Sequence, residues 1–264
     1  MSADPSASRT LEVPVDSVEA VECAAEFADR IELCDDLATE GWTPQPSLVR
    51  AARDISDAQP AGQRPRIIAM IRPRLPESTL ALDAAAFAAT SRVVAESERE
   101  IMACIGAGAQ EIAIGLLDAN GHIDISACAR LRDAALSRGA AVAFLRVFDL
   151  LSDRMRGWRD IAALGIGRVL TAGVHGWDAS VSSLGQRIKV MASDKEAAAR
   201  AAPPAPAASR AAPPEIAAGG GVRAANAAEF LRVTPHLHAS CRVGGRISTD
   251  ELAALRARID GSGE

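Results

Sequence analysis

Arg30-Ile31-Glu32-Leu33-Cys34 places a cation, a carboxylate and a thiol at alternate positions of an apolar run. In a strand, residues i, i+2 and i+4 share a face, so Arg30, Glu32 and Cys34 point one way while Ile31 and Leu33 point the other. Charges on a face covered by protein are costly unless they pair or line a wet cavity, so this face is expected to end in a site. The competing reading is an ion pair on an exposed antiparallel strand. The flanking sequence favours the first reading, because strand and helix alternate along the chain instead of hairpin following hairpin.

Strands are expected at 11–16, 30–34, 66–73, 111–118, 141–149, 168–173, 215–221 and 236–241. Helical spacing falls between them at 18–27, 47–55, 125–136, 154–164, 224–233 and 249–259, with Asp16 or Ser17 as the first cap. The Ala-rich run 80–105 reads as helix, in one piece or two. Residues 181–202 also have helical spacing, although β-branched residues leave a strand possible near Ile188 to Met191. Pro14 is awkward inside the first strand, where it removes a ladder donor. Eight strands alternating with eight helices predict one (β/α)8 TIM-type barrel over residues 11–260, after a leader 1–10 and before a tail 261–264. The Ala/Pro stretch 203–214 reads as an inserted surface linker.

With 264 residues the chain has room for such a barrel as a single domain. Only 3% of residues are aromatic and Tyr is absent, so the core must be built from Ala, Val, Ile and Leu, which suits helices packed on a parallel sheet. A net charge of −5 argues against nucleic acid or an anionic membrane as partner. No apolar run is long enough for a membrane span or a signal peptide, which points to the cytoplasm. The five Cys form no C-x-x-C, so neither a disulfide framework nor a structural zinc site is indicated.

In a TIM barrel, chemistry sits where strands end and helices begin. Those ends carry Glu12 and Asp16, Glu32 and Cys34, Arg72, Arg146 with Asp149, Thr171, Gly219 to Gly221, and His238 with Ser240. Glu12, Glu32 and Asp149 are candidate general bases. Arg30, Arg72, Arg146, Thr171, Ser240 and the N–H groups of Gly219, Gly220 and Gly221 are candidates for holding a small anion, although a Gly triplet also serves simply as a tight turn. With no Lys in any expected strand, Schiff-base chemistry is disfavoured.

Together, Ala28 to Cys34, Met70-Ile71-Arg72-Pro73-Arg74, Arg146 to Asp149, Arg168 to Gly173, Gly219 to Val222 and His238-Ala239-Ser240 resemble the CutC family of copper homeostasis proteins, in that family's order. The resemblance implies a cytoplasmic TIM-type barrel, often a homo-oligomer, that handles copper through thiols near the barrel mouth; it attaches no reaction. The sequence departs from the family pattern at several places. Pro14 stands where the family's first strand has a Cys, Leu145 where it has a His, and Leu75-Pro76-Glu77-Ser78 where it has Gly-Gly-Asp-Phe. Cu(I) prefers at least two soft ligands. Cys34 is the remaining family-pattern thiol, and Cys241 ends a strand two spacings away, roughly 10 Å across a closed barrel. Cys34 and Cys241 with His238 are therefore the candidate Cu(I) ligands, unless Cys241 faces the helices as an ordinary buried thiol. Two further readings stay open: an isomerase, aldolase or hydrolase acting on a phosphorylated or carboxylated metabolite, and a barrel that acts through its surface.

Overall fold

A computed structural model of the protein describes residues 8–201 and 212–261. Eight parallel strands close into a barrel in sequence order: β1 (Thr10–Val15), β2 (Arg30–Leu33), β3 (Arg66–Met70), β4 (Glu111–Ile114), β5 (Ala141–Phe144), β6 (Arg168–Thr171), β7 (Glu215–Ala218) and β8 (His236–His238), which pairs back onto β1. The helices α1 (Val18–Ala25), α2 (Pro46–Ala58), α3 (Ser91–Gly106), α4 (Ile125–Leu136), α5 (Arg154–Leu164), α6 (Leu184–Ala201), α7 (Ala227–Leu231) and α8 (Thr249–Gly261) follow the strands in turn. No described helix is long and apolar enough to cross a membrane.

Period-two alternation sets the two faces of the sheet. Leu11, Val13, Ile31, Leu33, Ile67, Ile112, Ile114 and Val169 are fully buried between strands and helices. The alternate positions carry charge into the lumen, and Arg168 shows it directly: from β6 it reaches Glu12 on β1 and Glu111 on β4, a span open only to a side chain crossing the interior. Pro14 pairs with Glu32 but lies beyond the β8 ladder, which ends at Glu12–His238, so its missing donor falls past that ladder.

Side-chain caps fix the helix starts. Ser17 accepts from the Ala20 N–H, and Asp124 and Asp153 do the same for α4 and α5. Capping also divides the Ala-rich run, because Asp83 caps a short 3-10 turn at Ala84–Phe87 and Thr90 then caps α3. The strands stop earlier than the apolar runs suggest. Arg146–Leu150 is a 3-10 turn, not an extension of β5, and residues 188–191 lie within α6. After β8 the chain adds a ribbon of β9 (Arg242–Val243) and β10 (Arg246–Ile247). The expected linker 203–214 lies outside the described residues as far as residue 211, as do leader residues 1–7 and residues 262–264 of the tail.

Candidate functional site at the barrel mouth

The lumen floor is an ionic chain. Glu111 accepts from Arg168 Nη2 at 2.8 Å and faces Arg30 at 3.6 Å and Arg66 at 3.5 Å. Glu12 takes the other arm of Arg168 and bonds His238 Nδ1 at 2.8 Å. Burial alone would raise the Glu12 carboxyl, but the Arg168 guanidinium and the His238 bond outweigh it and hold the group well below the usual carboxylate range. An ionised Glu12 only accepts, so Nδ1 of His238 is the donor and Nε2 is left facing Glu32, 4.0 Å from its Oε2.

Glu32 is 5% exposed and makes no hydrogen bond among the described residues. Burial pushes its carboxyl up to about 7 against the attraction of His238, with the Glu12 charge adding to the rise. For His238 burial works toward the neutral ring, yet the Glu12 bond and the Glu32 and Glu12 charges win and raise it. A buried carboxyl raised to about 7 and an imidazole raised by its carboxylate neighbours, side by side, form a pair able to exchange a proton.

Above them opens a cavity of about 690 Å³, floored by Pro14, Glu32, Met70 and His238. One wall is the stacked pair Phe87–Trp177, with ring centroids 5.7 Å apart, and Arg146 lies over Trp177 at 4.4 Å. Arg187, Gly220, Gly221, Ser240 and Arg242 also line it, with Arg242 paired to Asp16, and Glu40 and Asp178 are among the remaining lining residues.

Of the residues singled out from the sequence, the structure brings Glu32, Arg146, Gly220, Gly221, His238 and Ser240 to this cavity, with Glu12 directly beneath. Arg30 sits at the opposite end of the barrel, facing Glu111 and Glu215. Arg72 is buried between the rings of Trp42 and Phe87, at 4.1 and 5.2 Å, and donates to the Gly41 carbonyl. Asp149 is saturated by Arg154, Arg146, the Thr171 hydroxyl and the Ala172 N–H, so both Asp149 and Thr171 are part of the scaffold under the wall. Gly219 offers its carbonyl to Arg187. The helix after the glycines begins only at Ala227 and has five residues, too short and too far along to supply a helix-end anion site.

The thiols part company. Cys34 is buried beside Glu32 and Asp16, and burial followed by the Glu32 charge raises it well above its ordinary value. Cys241, at φ 49°, has left the barrel wall; burial and Glu251, on α8, push it up to about 12. Among the described residues, the potential metal ligands that converge within 4.8 Å of one another are Glu12, Glu32 and His238, without either thiol.

Arg168, Glu111 and Arg187 escaped sequence reasoning. Period two marks Arg168 and Glu111 as inward-facing, which was a usable signal. Arg187 lies on a polar helix with no local mark.

A closed eight-stranded parallel barrel with a charged cavity at the carboxyl ends of its strands defines a single-domain TIM-barrel protein with a site sized for a small molecule. The chain belongs to the CutC family, whose family model matches residues 9–243. The family protein CutC of Caulobacter vibrioides is 32% identical over 246 residues, covering 90% of this chain and 82% of that protein. That of Histophilus somni is 35% identical over 164 residues, 62% of this chain; the matched stretch spans 60% of that relative's length. Among solved structures, the Streptococcus agalactiae CutC, named for copper homeostasis, superposes with a TM-score of 0.68 at 23% identity, covering 88% of this chain and 98% of that one. The thiamine phosphate pyrophosphorylase of Pyrococcus furiosus shares the fold at a TM-score of 0.59 and 12% identity, covering 97% of this chain and 98% of that one.

Proposed function

We propose that this CutC family barrel binds a small anionic metabolite at its mouth and moves a proton on it, with Glu32 and His238 as the acid–base pair. The observation that carries this reading is Glu32: a buried carboxyl without a hydrogen bond among the described residues, on the floor of the cavity, beside an imidazole already oriented by Glu12. Positioned acid–base groups contribute about 10²- to 10⁴-fold to rate. Isomerase, aldolase and hydrolase steps all need such a pair, and a single chain supplies the whole of it. The test is hydrogen–deuterium exchange at carbon in a panel of phosphorylated and carboxylated carbonyl metabolites, followed by NMR. Exchange lost by about 10²-fold or more in both Glu32→Gln and His238→Asn supports the reading; exchange by the wild type that neither substitution slows rejects it.

A second reading, Cu(I) binding in copper homeostasis, has one observation in its favour. A Cβ placed on Gly41 would stand 3.3 Å from Cys34 Sγ and 3.0 Å from Met70 Sδ, so a thiol and a thioether flank one point at the edge of the cavity. Those are soft ligands of the kind Cu(I) takes. They replace the Cys34–Cys241–His238 set expected from the sequence, because Cys241 sits among Glu251 and Arg223. Against Cu(I) there, the Cys34 thiol is held protonated by burial and by Glu32. Anaerobic Cu(I) titration against a competing chelator decides: one-to-one binding abolished in Cys34→Ser and weakened in Met70→Leu supports copper, and binding indifferent to Cys34 removes it.

A further inference from the structure

Arg187 reaches back from α6 to the wall of the mouth and is 7% exposed. Its Nε donates to the Ala172 carbonyl and its Nη2 to the Gly219 carbonyl, both at 2.7 Å, so the ends of β6 and β7 hold the guanidinium in one orientation. Phe230 covers one face, with the guanidinium carbon 4.9 Å from the ring centre. Among the described residues no carboxylate lies within 4.0 Å of it, and Nη1 makes no hydrogen bond. Arg146, on the same wall, is held by Asp149 and by the Trp177 carbonyl.

Charge on this wall does not balance. The wall carries Arg146, Arg154 and Arg187 against two buried carboxylates, Asp149 and Asp194; Arg154 engages both, Arg146 shares Asp149, and Arg187 pairs with neither. The remaining acid nearby, Asp178, is exposed at the rim and accepts from the N–H and hydroxyl of Ser180. A buried guanidinium bonded only to carbonyls leaves a net positive charge in low dielectric, which is unfavourable until an anion arrives.

We infer that Arg187, with Arg146 beside it, is the anchor for an oxyanion group, a carboxylate or phosphate, of the molecule that enters the cavity. This deepens the small-anion reading of the same mouth and rests on it. Two backbone carbonyls fix Nε and Nη2 and leave Nη1 for the ligand, while Arg146, set by Asp149, offers its own Nη1.

The test measures apparent melting temperature of the full chain against inorganic phosphate and against acetate, each matched to sodium chloride at equal ionic strength. A ligand specific for the folded state raises that temperature in proportion to its affinity. The expected result is saturable stabilisation by one anion, with the half-saturating concentration raised about tenfold or more in Arg187→Met, in line with a charge-assisted bond. Stabilisation by phosphate alone assigns a phosphate monoester, and by acetate alone a carboxylate. Equal responses of wild type and Arg187→Met overturn the inference, as does the absence of any anion effect beyond chloride. Should Arg187→Met fail to fold, Arg146→Met with phosphate followed by 31P line broadening takes its place under the same criteria. Glu32→Gln separates this inference from the proton-transfer reading. Anion stabilisation that survives Glu32→Gln, with no exchange by the wild type on any metabolite of the panel, leaves the anchor standing and sinks the chemistry; intact wild-type exchange with no anion effect does the reverse.

Discussion

Replacing Arg154 with methionine is expected to cost about 3–5 kcal/mol of folding stability, because it breaks a buried ion-pair cluster from one side. Arg154 is 8% exposed and donates to Asp194 through Nε, to Asp149 and the Val174 carbonyl through Nη1, and to the Thr171 hydroxyl through Nη2. Trp158 Nε1 adds a bond to Asp194 at 2.9 Å. The cluster ties α5, β6, α6 and the turn after β5 together directly beneath the mouth. Removing the cation leaves buried Asp194 with the Trp158 N–H alone, while Asp149 keeps Arg146, the Thr171 hydroxyl and the Ala172 N–H, so the penalty lies in the uncompensated Asp194 more than in the lost attraction. For a chain of this size the loss lowers Tm by on the order of 10 °C. Arg154→Lys is expected to rescue little, since an ammonium cannot reproduce the planar fork. Urea denaturation measures it, and a loss below about 1 kcal/mol would mean that the carboxylates are solvated or protonated in the native state.

The same cluster shows where sequence reading runs out. Alternation along β2 correctly turns Arg30 and Glu32 inward but says nothing of depth. Arg30 opens the strand and Glu32 lies two residues further on, roughly 7 Å up the barrel, so one faces Glu111 at the far end and the other reaches the cavity. The eight strands and their helices were legible because buried parallel strands are continuous apolar runs, and capping residues mark the helix starts. Strand ends were less so. The run 236–241 looks extended, yet pairing stops at His238 and the left-handed Cys241 turns its thiol toward Glu251, which no periodicity announces. Glu32 and His238 could be placed toward the cavity from the sequence because they sit on strands, where face follows from parity. Arg154, Asp194 and Arg187 were missed because they reach the site from helices, over strand ends, and a polar residue on an amphipathic helix looks the same whether it meets solvent or another chain segment.

Glu32→Gln is expected to stabilise the protein at pH 8 while removing its chemistry. The folded Glu32 carboxyl is raised from 4.5 to about 7 by burial, tempered by His238. Below the unfolded value it is neutral in both states, and its contribution is fully present. As pH climbs toward the folded value, the unfolded chain gives up this proton first, so the folded state binds more protons and stability falls with pH. Above the folded value the full penalty stands, about 3 kcal/mol. His238, also raised, loses its contribution in the same direction, as pH rises through its folded value. Glu12, held low by Arg168 and His238 against burial, contributes stability that is present above its unfolded value and lost as pH falls. The wild type should therefore be most stable on the acid side of neutrality, and glutamine at position 32, which cannot ionise, should flatten the decline toward pH 8. Urea titrations of both proteins at pH 5 and pH 8 give the comparison; an equal effect of the substitution at the two values would show that Glu32 ionises in the native protein as it does in water. A gain in stability at pH 8 paired with loss of proton exchange is the mark of a carboxyl kept for function at the expense of the fold. A carboxyl placed only to hold the barrel together would lose stability on the same substitution, so the sign of that one difference separates a site residue from a structural one.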